Sequence, residues 1–173
     1  MADPEGLVYR PDFLAPGEER ELLAVIEQVD FQEIRMRGQT ARRTARHFGF
    51  DYDYERYGRL VPGDPLPDWL VALRERCARL PGLDPDELAQ ALVQRYPPGA
   101  TIGWHRDAPM FGTVVGVSLA SACRMRFQRG RGDERRTFEL ELEPRSAYVL
   151  AGAARNAWQH SIPPTKSLRY SVT

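Results

Sequence analysis

Lysine is nearly missing from this chain. Lys166 is the only one, so the positive charge is almost all arginine. The first reading of that bias is genomic base composition; the second is use of guanidinium chemistry. Net charge is missing too: 24 Lys and Arg balance 24 Asp and Glu. A global electrostatic signature of nucleic-acid binding is therefore excluded, and any such role must rest on a local patch. Cysteine is scarce. Cys77 and Cys123 stand alone, with no CxxC or CxH spacing, so the usual structural zinc site is excluded. Two buried, reduced thiols are the plainer expectation, with a disulfide left open. The N-terminal MADPEGLVYR has no apolar signal core, and no apolar run reaches membrane-spanning length. A cytoplasmic protein without membrane contact is expected. Repeats and low-complexity segments are absent.

What is present describes a globular domain. The 173 residues are 42% apolar and 28% charged, enough for one domain with a real core. PGEERELLAVIEQV opens with Pro and acids, and Leu22, Leu23, Ile26 and Val29 then recur at helical spacing. LPDWLVALRERCARLPG repeats the pattern with Leu70, Leu73, Cys77 and Leu80 and stops at Pro81-Gly82. After residue 90 the text changes to short runs rich in β-branched and aromatic residues: ALVQRY, TVVGVSLA, CRMRFQ, TFELELE, SAYVLAG and LRYSVT. CRMRF and TFELEL alternate as half-exposed strands do, AYVLA is continuous as a buried strand is, and QRGRGDERR reads as a hairpin loop. The expected class is α+β: helices first, then a sandwich or barrel of short strands, of which the jelly roll is one form.

Three histidines occur in the chain. His105 lies two residues before Asp107 in GWHRDAPMFG. On a strand, residues two apart share a face, so imidazole and carboxylate can converge. HxD alone is a weak signal, and a metal wants a third ligand. His160, near the start of the last strand region, offers one, and two His with one carboxylate is the face used by non-haem Fe(II) oxygenases. Arg169 strengthens the reading. It alternates with apolar partners on the terminal strand and so points inward, where a buried guanidinium needs an anion.

VQRYPPGATIGWHRD, GVSLASACRMRF, RSAYVLAGAARNAWQHSI and LRYSVT, in that order, resemble the AlkB family of Fe(II)/2-oxoglutarate dioxygenases. The resemblance implies a double-stranded β-helix, or jelly-roll, sandwich with N-terminal helices packed on it. It implies a single domain over 1–173, with 1–90 a helical and substrate-lid part and 91–173 the jelly-roll core. His105, Asp107 and His160 would hold Fe(II). Arg169 would pair with the far carboxylate of 2-oxoglutarate, helped by the Tyr96 hydroxyl, with Gln94 and Ser171 at further polar positions. O₂ is the other cosubstrate, and oxidation of an N-methyl carbon would release formaldehyde. Family members usually carry a second Arg shortly after the RYS strand. The sequence stops at Thr173 before that position, and a tail beyond it is expected.

The segment FQEIRMRGQTARRTARHFGFDYDYERYG is less specific. Arg35, Arg37, Arg42, Arg43 and Arg46 gather there with few acids, and Phe48, Phe50, Tyr52, Tyr54 and Tyr57 follow. Within it, RMRGQTARRTARHFG is expected to form a hairpin or lid over the iron-side mouth. Arg42, Arg43 and Arg46 would touch phosphate, with Phe48 or Tyr52 near a base, which suits RNA or single-stranded DNA. A monomer acting on alkylated nucleic acid is the leading reading. The alternatives are the same chemistry on a protein or small metabolite, or a non-catalytic metal-binding sandwich module.

Overall fold

A computed structural model describes residues 3–36, 38–53 and 59–173, with the side chains of 36, 52 and 53 outside the description. Two antiparallel sheets face one another. The strands are β1 Leu7–Arg10, β2 Gln32–Met36, β3 Gln39–Phe48, β4 Phe50–Asp53, β5 Arg59–Pro62, β6 Ala91–Tyr96, β7 Ile102–His105, β8 Val114–Leu119, β9 Cys123–Arg129, β10 Arg136–Leu142, β11 Ser146–Leu150, β12 Gln159–Ile162 and β13 Arg169–Val172. The helices are α1 Pro16–Ile26, α2 Asp68–Arg79 and the short α3 Gly152–Asn156. The larger sheet runs β1-β11-β8-β13-β6-β3-β2 and the smaller β10-β9-β12-β7, with β4 and β5 as a separate ribbon. This is the jelly-roll sandwich, with α1 and α2 packed on the outer face of the larger sheet.

Period-two alternation sorts the large sheet's side chains into two cores. Val93, Val117, Val149 and Val172 face the helices and meet Ile26 of α1 and Leu70, Leu73 and Cys77 of α2. Tyr96, Tyr148 and Leu150 face the small sheet and meet Met125, Phe127 and Ile162. The helical periodicity read in α2 therefore describes its buried stripe. In α1 the helix stops at Ile26, so Val29 falls in the turn beyond it.

The N-terminal part is more β-rich than the sequence suggests. β1, β2 and β3 are strands of the large sheet, so the expected division into a helical and lid part before residue 90 and a sheet after it is corrected. The reason is composition: in QTARRTARHF the β-branched Thr40 and Thr44 and the aromatic Phe48 are diluted by arginine and alanine, and its place is set by pairing with β6.

One glycine position is dictated by packing. Gly116 lies directly opposite Tyr148 across the β8–β11 pair. The Tyr148 ring covers it, and an added Cβ would fall inside that ring's van der Waals envelope. Gly116→Ala is expected to cost about 1–3 kcal/mol, the range for overpacking a tight core. Urea unfolding measures it, and an unshifted midpoint would refute the packing argument.

Candidate active site

His105 ends β7, and in the antiparallel β7–β12 pair it stands directly opposite His160. Opposed residues share a face of the sheet. The two imidazoles meet edge to face, with centroids 4.3 Å apart. Asp107 arrives differently. β7 has already ended, so the shared-strand argument made from the HxD spacing does not apply to it. Its Oδ1 nevertheless lies 3.4 Å from His105 Nε2 and 3.6 Å from His160 Nε2.

What returns Asp107 to the histidines is a loop held by Arg155, a residue sequence reasoning missed. Arg155 sits on α3 and is only 6% exposed. Its guanidinium donates to four carbonyls of one loop: Nε to Gly112 at 2.9 Å, Nη1 to Asp107 at 3.4 Å, and Nη2 to Ala108 at 2.7 Å and Phe111 at 2.8 Å. A planar fork of donors suits such a cluster. The only signal was an arginine among the small residues of GAARN, five positions before His160.

The electrostatics fit a cation. His105 Nδ1 is 2.8 Å from the Gly103 carbonyl, which can only accept, so Nδ1 carries the proton and Nε2 offers a lone pair. Burial, opposed by the Asp107 charge, pushes the His160 pKa down to about 4, which leaves a neutral imidazole near pH 7. For Asp107 burial is the largest single influence and acts upward. In the acid range where the carboxyl takes up its proton, the His105 hydrogen bond and the charges of His160, His105 and Arg155 together outweigh it and hold the carboxyl below its usual range. The three ligand atoms lie within 4.8 Å of one another. Lone pairs gathered this closely repel unless a positive ion stands among them. First-row divalent ions bond N and O at about 2.0–2.2 Å, which sets neighbouring ligand atoms about 3 Å apart. The arrangement is close to that, so the residues fit such an ion.

These side chains open on a cavity of about 650 Å³ that runs from the space between the sheets to the α2 side of the larger one. Gln94, Tyr96, Arg169 and Ser171 all line it, from the adjacent strands β6 and β13. Arg169 is 1% exposed. Its Nε donates to Ser118 Oγ at 3.0 Å, its guanidinium carbon lies 5.0 Å from the centre of the Tyr96 ring, and its Nη1 is buried without a partner. Tyr96 donates to Gln94 Oε1 at 3.4 Å. Burial pushes the Tyr96 pKa up despite the Arg169 and Arg43 charges, so the phenol keeps its proton and can donate. Ser118, the support of Arg169, was also missed.

The arginine segment forms the expected hairpin, β2–β3, but as the edge of the large sheet. Alternation divides its residues. Arg43, Ala45 and His47 line the cavity, whereas Arg42, Arg46 and Phe48 do not. Arg42 is exposed, Arg46 forms an ion pair with Asp64, and Phe48 packs against the helix-side core. The expectation of a base stacked on Phe48 is thus corrected: its strand parity points it the other way. The segment is also less starved of acids than it looked, since Glu33 pairs with Arg35 at 3.2 Å and Asp64 reaches Arg46 from outside it. The backbone of Tyr52 pairs with Leu60, but its side chain, like Arg37, Tyr54 and Tyr57, lies outside the described residues.

The model of the 2OG-Fe(II) oxygenase superfamily matches residues 6–171, nearly the whole chain. The chain belongs to that superfamily. Its relatives place this oxygenase with the AlkB family. It is 28% identical over 173 residues to the tRNA (carboxymethyluridine(34)-5-O)-methyltransferase alkbh8 of Xenopus tropicalis, covering 94% of this chain and 26% of that protein. It is 28% identical over 190 residues to the Alkylated DNA repair protein ALKBH8 homolog of Arabidopsis thaliana, covering 93% and 51%. The chain thus spans between a quarter and a half of those relatives' lengths. The solved structure of OsALKBH1 superimposes with a TM-score of 0.72 at 15% identity, covering 99% of this chain and 96% of that one, which establishes a shared fold. The superfamily uses Fe(II), 2-oxoglutarate and O₂.

The Arg155 clamp yields a measurable expectation. Arg155→Ala should weaken Mn(II) binding by about tenfold to a hundredfold, the usual effect of losing a residue that orients a metal ligand. Calorimetric titration checks it, and an unchanged affinity would mean that the Asp107 loop holds its shape unaided.

Proposed function

We propose that this chain, as one domain spanning 1–173, is a 2-oxoglutarate-dependent dioxygenase that demethylates or hydroxylates alkylated nucleic acid, RNA or single-stranded DNA, as a cytoplasmic monomer. One observation carries the chemistry: a His-Asp-His cluster and a buried arginine with a free donor line the same cavity. His105, Asp107 and His160 hold Fe(II). When bound, iron with 2-oxoglutarate and O₂ supplies the oxidation of a substrate C–H bond, coupled to decarboxylation of 2-oxoglutarate to succinate and CO₂.

The protein's own part is to bind, orient and exclude water. Arg169 takes the far carboxylate of 2-oxoglutarate with its unmatched Nη1, as a planar guanidinium does for a carboxylate. The Tyr96 hydroxyl adds a second donor, and Gln94 and Ser171 complete the polar wall. Tyr148 from the same sheet and Met125 from the facing one add buried, largely apolar lining that would exclude water. Free, buried Cys77 and Cys123 are at home in a reducing compartment; among the described residues no helix is long and apolar enough to cross a membrane.

The nucleic-acid part leans on two relatives whose names specify tRNA and DNA. Arg42, which is exposed, and Arg46, which is part-buried beside Asp64, lie on the face of β3 opposite Arg43 and would be the phosphate contacts. A protein or metabolite substrate is the second reading, favoured by Asp64 already occupying Arg46.

Incubation with Fe(II), 2-oxoglutarate and air, followed by mass spectrometry of modified RNA, DNA and peptides, tests the proposal. Asp107→Ala should reduce succinate formation to background. Arg169→Ala should raise the 2-oxoglutarate KM about tenfold or more and leave the iron requirement alone. Normal turnover by either variant defeats the assignment. Arg42→Glu with Arg46→Glu should weaken RNA binding and flatten its dependence on salt. Wild type that binds no nucleic acid at low salt would shift the substrate to protein or metabolite.

A further inference from the structure

Arg43 does not behave like the other arginines of its strand. Arg46 has Asp64, and Arg42 is in solvent. Arg43 is 9% exposed, and its Nε and Nη1 are buried with no hydrogen-bond partner. A guanidinium stays charged in any protein environment. Burying its donors unmet costs free energy, so a cation placed this way calls for an acceptor from outside the protein.

The register says where that acceptor belongs. Thr44 of β3 opposes Arg95 of β6, so Arg43, one step further along, is level with Tyr96. Across the other edge of β6, Arg169 of β13 also opposes Tyr96. Tyr96 thus has an arginine on each side, on the same face of the sheet, and all three line one cavity. Neighbouring strands are about 4.8 Å apart, so β3 and β13 are separated by about 10 Å here, a gap that two arginine side chains can close from both ends. Each guanidinium retains a buried, unmatched Nη1. Like charges facing each other in a dry interior repel, and an anion between them removes the conflict.

We propose that Arg43 is a second binding residue for the far carboxylate of 2-oxoglutarate, which it grips with Arg169 from opposite sides of Tyr96. The inference rests on the cosubstrate reading above and adds to it a guanidinium supplied by the β2–β3 hairpin. No covalent step is involved. The consequence is that the hairpin, positioned as the substrate-side edge, also senses whether cosubstrate is in place.

The test is calorimetric titration of Mn(II)-loaded protein with 2-oxoglutarate and with 2-oxobutyrate, which keeps the keto acid but lacks the far carboxylate. Arg43→Met fills similar space without charge, and Arg43→Lys keeps the charge without the fork. For 2-oxoglutarate, Arg43→Met should raise the Kd about tenfold or more and Arg43→Lys by less. For 2-oxobutyrate both variants should match wild type, and Mn(II) affinity should stay within about twofold. An unchanged 2-oxoglutarate Kd in Arg43→Met overturns the proposal. So does an equal loss of 2-oxobutyrate binding, which would signal general damage to the cavity. If Arg43→Met does not fold, the same two outcomes are read from Arg43→Lys. Wild type that fails to bind 2-oxoglutarate at all sinks the cosubstrate reading itself, a result distinct from either.

Discussion

A guanidinium buried at the centre of the larger sheet is the constraint on which the rest of the molecule turns. Arg169 lies on β13, with β6 on one side and β8 on the other. Such a charge survives only where neighbours and a ligand match its donors. Ser118 of β8 supplies one acceptor and the Tyr96 ring of β6 a face, which leaves one nitrogen turned to the cavity. Where the cavity lies between the sheets, the metal-type cluster forms its other wall, on the side of the smaller sheet. Every polar group assigned to cosubstrate is on the large sheet, and both histidines are on the small one. The reaction space is the gap between them.

The two halves of the ligand set are built by different physics. His105 and His160 meet because an antiparallel ladder puts them opposite each other, and that register is backed by the core beneath. Asp107 meets them because a buried arginine from a short helix gathers four carbonyls of its loop. The first arrangement can be disturbed only by shifting strands. The second depends on one side chain.

That difference explains what could be read in advance. The C-terminal strands were visible because CRMRF, TFELEL and AYVLA carry alternation or continuous apolar runs, and α2 was visible from Leu70, Leu73 and Cys77. His105, Asp107, His160 and Arg169 were singled out from the HxD spacing, the alternation of the last strand and the ordered motifs, and the fold brings all four to one cavity. β3 was expected as an arm of a hairpin or lid but not as a strand of the large sheet, because its arginines mask an inward face of Arg43, Ala45 and His47. Arg155 and Ser118 were missed because one serves through backbone carbonyls and the other through a contact between strands far apart in sequence. Neither kind of partnership leaves a spacing to detect. Parity also went unread: a run of arginines looks like one patch until the strand divides it.

The alternation of β3 bears on how this chain can change. Its inward line is set by pairing with β6, while on its other edge the pairing with β2 already slips between Glu33 and Arg35. Residues gained or lost near the β2–β3 turn can be absorbed on the β2 side, where the ladder is irregular. The same change between Thr44 and Phe48 would rotate the strand's outer end by one place, sending Arg42 into the cavity and Arg43 out to water. Length variation in this hairpin is therefore permitted on one flank and forbidden on the other.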